Sequence, residues 1–277
     1  MLDPLHCDFE FACWTIDPAL TRAALSAGVR WIGPDLEIIG KHERQAGTGS
    51  LISAHSRETV PMMRELVGSE KLFARCNGPG PHLQVEIESL LSGGVQCLMV
   101  PMLRRLSQAQ QVVDQVAGRA QLVLMVEHAD ILDSVDAVAA LPGVHTLYVG
   151  TNDLALSMGY RTRFGPVKDG WIDRIAAVAK ARGVGFSFLG FGRLSARLAV
   201  PVDLVIASYV RHGVRWGLFA RSFAATPQSF GDELEQVRQR LAWWRSQSSD
   251  ALDEAQDRFM TCCAQAERNG LPHGPQH

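Results

Sequence analysis

The 277-residue sequence predicts an α/β protein of the (β/α)8 barrel type with an extended C-terminal helix. Three observations predict it. Eight short apolar runs alternate with helix-patterned segments over most of the chain, a spacing that suits one barrel. The runs are apolar nearly throughout, as parallel strands buried on both faces are. No Gly-x-Gly-x-x-Gly follows the first run, so an open doubly wound sheet with a dinucleotide site has no support.

The expected strands are "FEFACWTI" (9–16), "VRWIGPDLE" (29–37), "KLFARCN" (71–77), "VQCLMVPM" (95–102), "AQLVLMVE" (120–127), "HTLYVG" (145–150), "VGFSFLGF" (184–191) and "RWGLFA" (215–220). Between the first two lies "DPALTRAALSAG", a helix with Asp17 as N-cap and Gly28 as its stop. In "SRETVPMMRELVG" the same logic gives Ser56 as the cap and Gly68 as the end. Beyond the barrel, Leu234, Val237, Leu241 and Trp244 fall at helical spacing and form an amphipathic seam. Leu252, Ala255 and Phe259 extend it after the polar break "SQSSD". The seam is longer than one barrel helix needs. Packing on its own barrel and exchange between subunits both accommodate it, and exchange is the expectation adopted. The organisation read from the chain is therefore a barrel over 1–231, a helical extension over 232–268 and a disordered tail over 269–277.

Hydrophobic residues make up 47% and charged residues 20%, which suits a globular chain with a sizeable core. The formal net charge of -2 leaves no electrostatic footprint for nucleic acid or an anionic membrane. No apolar run approaches the ~20 residues of a membrane span. The first ten residues lack a basic-then-apolar signal pattern. Six scattered cysteines without a C-x-x-C pair suit reduced thiols and a cytoplasmic setting.

Barrel enzymes carry their catalytic groups at the C-terminal ends of strands. Glu127 closes the fifth strand, and Asp153 follows the sixth, one strand–helix–strand repeat later. Two such acids at one rim repel unless protonated or bridged by a cation, and a few hard oxygen ligands suit a magnesium-like ion. On spacing alone a structural reading stands equal, with Asp153 capping the next helix and Glu127 paired to an arginine. Arg75 interrupts the apolar third strand near its C-terminal end and points into the barrel mouth. A buried arginine needs an anion, and its planar fork matches a carboxylate. Metal plus arginine would chelate a 2-oxo acid. Asp35 and Glu37 end the second strand. They hold metal-bound waters, anchor Arg75, or pair with Lys41 or Arg44.

The runs "VEHAD" and "YVGTNDLALSMG", with "CLMVPM" before them and "AGVRWIGPDLE" earlier, resemble the HpcH/HpaI aldolase and citrate lyase β-subunit family. The resemblance implies a divalent-metal-dependent carbon–carbon lyase of the class II aldolase type, working on a hydroxy-2-oxo acid through a pyruvate enolate. It implies Glu127 and Asp153 as metal ligands, with Mg2+ expected and Mn2+ or Co2+ as substitutes. It assigns Arg75 to the substrate carboxylate and brings Asp35, Glu37, Pro101 and Asn152 to the substrate. It also implies a homo-oligomer, dimer-based and up to a hexamer, with the C-terminal helix exchanged. The rival activities are a citrate-lyase-like acyl-CoA reaction and a non-catalytic barrel.

One departure stands out. In the family's pyruvate aldolases a histidine follows the acid of the second strand; this chain has Ile38 there, and the histidine's carboxylate partner falls near Ser92. "DLEIIGKHERQ" instead resembles a less characterised subgroup with Asp-Leu-Glu on the second strand. The long loop before Ser56 holds His42 and His55, and His55 is the candidate general base. His128 is expected behind its strand and Lys41 exposed. A Schiff-base aldolase needs a lysine inside a strand, and Lys71 opens its strand at the wrong end.

Overall fold

The computed structural model describes residues 9–41, 55–220, 223 and 227–270. All eight predicted strands form: β1 (Glu10–Trp14), β2 (Trp31–Gly33), β3 (Phe73–Arg75), β4 (Cys97–Val100), β5 (Gln121–Val126), β6 (Val144–Val149), β7 (Gly185–Phe188) and β8 (Trp216–Leu218). They pair in parallel as β2-β1-β8 and as β3-β4-β5-β6-β7. Isolated parallel bridges span both gaps: Ile32–Leu72 and Asp35–Arg75 between β2 and β3, and Phe191–Phe219 between β7 and β8. The circular order is thus the chain order, as in a (β/α)8 barrel.

β2 is much shorter than its apolar run. Pro34 follows it without an N–H, so the ladder stops, and Asp35 meets Arg75 only as an isolated bridge. Gly33 permits the approach of the two strands, because a Cβ there would overlap the carbonyl oxygen of Phe73.

Two apolar clusters divide along the barrel wall. Ala12, Trp31, Phe73, Met99, Tyr148 and Trp216 belong to the inner one, and the larger cluster lies between strands and helices. Trp216 meets both Phe73 and Tyr148 edge-on, with centroids 5.9 and 5.8 Å apart. Below them Glu10 accepts hydrogen bonds from Trp31 Nε1 (2.8 Å) and Gln121 Nε2 (3.3 Å). These side chains fill the barrel axis toward its N-terminal end.

The helix Pro18–Ser26 begins as expected, with Asp17 Oδ1 accepting from Leu20 N at 2.7 Å. In the next described helix, Thr59–Val67, the N-cap is Glu58 rather than Ser56. Ser56 lies in the preceding turn and offers its carbonyl, to Thr59 N and Thr59 Oγ1. The helix still ends at Gly68, whose φ of 77° an L side chain resists.

The extension forms two helices, Phe230–Arg245 and Ser249–Asn269, separated at the predicted polar break, where Ser248 Oγ caps the second. Leu234, Val237, Leu241 and Trp244 are buried, as are Ala255 and Phe259. Within the single chain the last helix packs against the helices Val202–Arg211 and Gly165–Lys168 of its own barrel; exchange between subunits is a property of the assembly and stays a proposal. The seam is long because those two surfaces are consecutive along it. Residues 271–277 of the expected tail lie outside the described residues, as do His42 and Arg44. No helix among the described residues is long and apolar enough to cross a membrane.

Phe259 anchors the last helix, fully buried with its ring 6.5 Å from that of Phe188. Phe259→Ala is expected to lower unfolding free energy by ~3–5 kcal/mol, the usual cost of deleting a core phenylalanine. Denaturant unfolding measures it. A loss under ~1 kcal/mol would mean the helix is no part of the barrel's fold.

Candidate active site

Glu127 follows β5 directly and is buried. Its Oε1 accepts from Met102 N at 2.8 Å. Met102 has a φ of 57°, an uncommon left-handed conformation for a residue with a side chain. The position just past β6 is glycine for a steric reason: a Cβ on Gly150 would overlap the Glu127 carboxylate. Asp153 sits in the first turn of the helix Thr151–Ser157, which starts immediately after Gly150, and is 7% exposed. The strand–glycine–helix run thus places a carboxylate at a helix N-terminus beside a second carboxylate at a strand end.

That pairing has an electrostatic signature. Burial, then Asp153 and Glu37, push the Glu127 carboxyl up to about 8, against the opposing pull of Arg75 and the Met102 N–H. Among the described residues no three His, Cys, Asp or Glu side chains gather into a ready metal cluster. Two buried carboxylates, one raised by the other, nevertheless form a hard-oxygen pair that a divalent cation would neutralise. Such a pair fits Mg2+, which keeps several water or substrate oxygens in its shell.

Across the mouth Arg75 is 5% exposed. Its Nε and Nη2 each donate to Asp35, Oδ1 and Oδ2 respectively, at 2.8 Å. Nη2 also lies 3.1 Å from Glu37 Oε2. Burial works against the guanidinium's charge, but Asp35 and Glu37 outweigh it and raise the pKa above the ordinary arginine range. Burial likewise pushes the Glu37 carboxyl up, and Arg75 and Lys41 bring it to a net lowering. The expectation that the fork itself meets a substrate is corrected: Asp35 holds the Nε/Nη2 edge. Nη1 is the remaining end, with only Met125 Sδ at 3.8 Å.

Lys41 overturns its expected exposure. It is 2% exposed, with Nζ 3.2 Å from Asp35 Oδ2 and 3.0 Å from Glu37 Oε2. Asp35 and Glu37 therefore anchor Arg75 and pair with Lys41 at once. His55 is half-buried, and its Nδ1 accepts from Asp35 N at 3.0 Å. His128 caps the following turn, with Nδ1 accepting from Asp130 N at 3.2 Å.

A cavity of about 250 Å³ opens at the mouth. At its polar end stand Lys41, Arg75, Glu127, Asn152 and Asp153; Leu198, Val202 and Phe219 are among its apolar lining. Asp35, Glu37, His55 and Pro101 are not among the lining residues. Pro101 is buried just past β4. Asn152 presents a buried Oδ1 with no hydrogen-bond donor. Arg163 also lines the cavity, a residue that the sequence did not single out. "RTRF" gives no sign of which arginine turns inward. Lys41 left a fainter signal, its place four residues after Glu37.

Residues 56–192 match the HpcH/HpaI aldolase/citrate lyase family. That stretch includes Arg75, Glu127 and Asp153, and it leaves out Asp35, Glu37 and Lys41. A 4-hydroxy-2-oxovalerate aldolase of Novosphingobium aromaticivorans is 25% identical over 170 residues, 51% of this chain and 60% of that protein. A hydroxypyruvate/pyruvate aldolase of Pseudomonas aeruginosa is 27% identical over 207 residues, 61% of this chain and 70% of that one. The chain thus spans less than two thirds of the first relative's own length and slightly more of the second's. Protein CitE of Mycobacterium tuberculosis, solved with magnesium and pyruvate, superposes with a TM-score of 0.59 at 14% identity, covering 94% of this chain and 100% of that one. At that identity the likeness shows the fold.

The raised Glu127 carboxyl makes stability pH-dependent. Its folded pKa of about 8 lies above the unfolded value near 4.5, so the native state holds this proton more tightly. Its stabilising contribution is full below pH ~4.5 and is lost as pH rises toward ~8. Metal-free protein should accordingly melt at falling temperature across that window, and Glu127→Gln should flatten this part of the slope. Calorimetric melts at pH 5, 6.5 and 8, with and without magnesium, check both. A slope unchanged by Glu127→Gln removes the argument from burial and repulsion.

Proposed function

Because this chain belongs to the HpcH/HpaI aldolase/citrate lyase family, we propose that it is a divalent-metal-dependent carbon–carbon lyase that cleaves or forms a hydroxy-2-oxo acid through the enolate of pyruvate. The observation that carries the reading is the buried pair Glu127–Asp153 facing the same small cavity as a charged, rigidly held Arg75. The cavity volume, about 250 Å³, favours a small oxo acid over an acyl-CoA nucleotide within it.

In this reading Glu127 and Asp153 hold the cation. Bound Mg2+, or Mn2+ or Co2+ in its place, would supply Lewis-acid stabilisation of charge developing on the oxo oxygen. Arg75 Nη1 donates to the substrate carboxylate, while Asp35 and Glu37 fix the opposite edge of the guanidinium. Asn152 Oδ1, a buried acceptor on the wall, is placed for a substrate hydroxyl. Cleavage breaks the bond between C3 and C4: the C4 hydroxyl loses its proton, the aldehyde leaves, and C3 of the enolate takes a proton to give pyruvate.

Proton transfer needs a group other than the family's histidine, since Ile38 occupies that place and is half exposed. The described residues that line the cavity include no histidine. His55, the candidate base from sequence, faces the main chain of Asp35. Its part here is to fix the segment that carries Asp35. Lys41, an ammonium on the cavity wall between two carboxylates, is the proton donor to C3 of the enolate, and water takes the C4 hydroxyl proton.

Two measurements check the reading. Calorimetric titration with magnesium, manganese and cobalt should show binding to wild type and none to Glu127→Gln or Asp153→Asn. In the same experiment Arg75→Lys should weaken pyruvate binding by ~1.5–3 kcal/mol, the scale of a charge-assisted hydrogen bond. Unchanged affinities refute the ligand roles. Separately, Lys41→Met should cut turnover of pyruvate with a panel of aldehydes by ~100- to 10,000-fold while pyruvate still binds. Wild-type turnover in Lys41→Met would return the proton to solvent. A wild type that turns over no oxo acid with any metal favours a non-catalytic barrel.

A further inference from the structure

Two bulky apolar residues stand open just past β2. Ile38 and Ile39 are 50% and 53% exposed, so burial of their side chains does not hold the segment down. Its main chain is held instead. Ile38 N and Ile39 N both donate to Asn77 Oδ1, at 2.9 Å each. Lys41 N closes the turn on Ile38 O at 3.2 Å, past Gly40 with a φ of 68°. That turn delivers Lys41 Nζ to Asp35 and Glu37 on the cavity wall.

Asn77 lies just beyond β3, is 7% exposed and is not among the residues that line the cavity. The two ends of an amide are nearly alike in shape, so size does not decide which one faces the turn. Glu86 decides it. This residue of the helix Leu83–Ser92 is 3% exposed, and its carboxylate only accepts. Oε1 accepts from Asn77 N (3.2 Å) and Nδ2 (2.9 Å), and Oε2 from Nδ2 (3.2 Å). The amide nitrogen must therefore face the acid, which leaves the oxygen for the two N–H groups. Turned over, the amide would set oxygen against carboxylate and N–H against N–H, both in a buried place. His82 Nε2 stands 4.0 Å from Oε2, with the Gly78 carbonyl closer at 3.1 Å. Among the described residues the acid's short contacts go to Asn77, where they orient a neutral dipole.

We propose that Asn77, oriented by Glu86, is a positioning residue for Lys41: it pins the turn that carries the ammonium to the cavity and so sets proton delivery to C3 of the enolate. This deepens the lyase reading and rests on its assignment of Lys41. In the step concerned a Lys41 N–H bond breaks, and a C3–H bond forms from the enolate's electron pair. The amine left behind regains its proton from water; condensation runs the same transfer backwards. Reaction of this kind falls off when a group is misplaced by about 1 Å. Lysine's flexible stem gives Nζ a wide reach unless its origin is fixed.

The test follows Lys41 itself as well as turnover, in full-length protein at pH 8. Acetylation of Lys41 by acetic anhydride is read by mass spectrometry against exposed Lys180. It should be slow in wild type and ~10- to 100-fold faster in Asn77→Ala, the scale of two lost hydrogen bonds. With magnesium, pyruvate and an aldehyde panel, Asn77→Ala should lose kcat by a similar factor while pyruvate affinity is unchanged. In a Lys41→Met background it should cost nothing further, because both changes act through one group. Asn77→Asp keeps the acceptor for the turn but sets acid against acid, and should behave like Asn77→Ala. Asn77→Asp/Glu86→Gln exchanges donor and acceptor within the pair and should restore slow labelling and kcat. These two variants carry the test if Asn77→Ala does not fold. Unchanged labelling, a full further loss in the Lys41→Met background, or no rescue by the paired change overturns the proposal. Fast labelling with rescue, in a protein that turns over no oxo acid, would keep the pinned turn and defeat the lyase reading.

Discussion

Arg75 must be charged and buried at a point where the barrel's ladder is broken. β2 ends at Gly33, Pro34 has no N–H to offer, and the joint to β3 continues through one isolated bridge between Asp35 and Arg75. The side chains at that bridge complete it, with two 2.8 Å bonds from guanidinium to carboxylate. That residue pair therefore closes the wall at its C-terminal end, above the Ile32–Leu72 bridge, and aims a cation into the mouth. A bidentate pair of this kind is rigid, and a buried guanidinium without it would be strongly unfavourable.

The other charges follow from that requirement. Asp35 alone would balance Arg75, but Glu37 also points to it, and Lys41 balances the surplus acid. The result is a four-membered network of two acids and two bases. Glu127 and Asp153 stand opposite, and the Glu127 carboxyl rises first because it is buried and then because Asp153 and Glu37 repel its charge. Arg75 and Lys41 thus face the mouth from one side and the carboxylate pair from the other, and the proposed chemistry draws on both.

The strands were legible because parallel strands are apolar on both faces and barrel repeats are regular. Glu127, Asp153 and Arg75 were legible because a charge at the end of an apolar run has few places to go. Three features were not. Lys41 reads as a loop lysine until the fold turns it onto Glu37, one helical turn back. Arg163 reads like Arg161, and only a main-chain bond from Thr162 to Glu267, about a hundred residues away in sequence, separates them. The last helix has the same seam whether it covers its own barrel or another, because periodicity records that a face is buried and not what buries it. His55 illustrates the converse: loop position brought it near the site, but its ring met the main chain first.

The bonds from Ile38 and Ile39 to Asn77 hold the turn after β2 through its main chain, and a main-chain N–H is the same for every residue but proline. Divergence at these two positions is therefore cheap for the fold, since their side chains are half exposed. Drift at 38 and 39 can trade apolar for polar or charged groups while the residue at 41 stays where it is. The histidine place of the pyruvate aldolases is one of these positions, so a lineage can lose or regain that group without rebuilding the wall behind it. For protein engineers the same division marks 38 and 39 as open to substitution, and 77 and 86 as positions to leave alone.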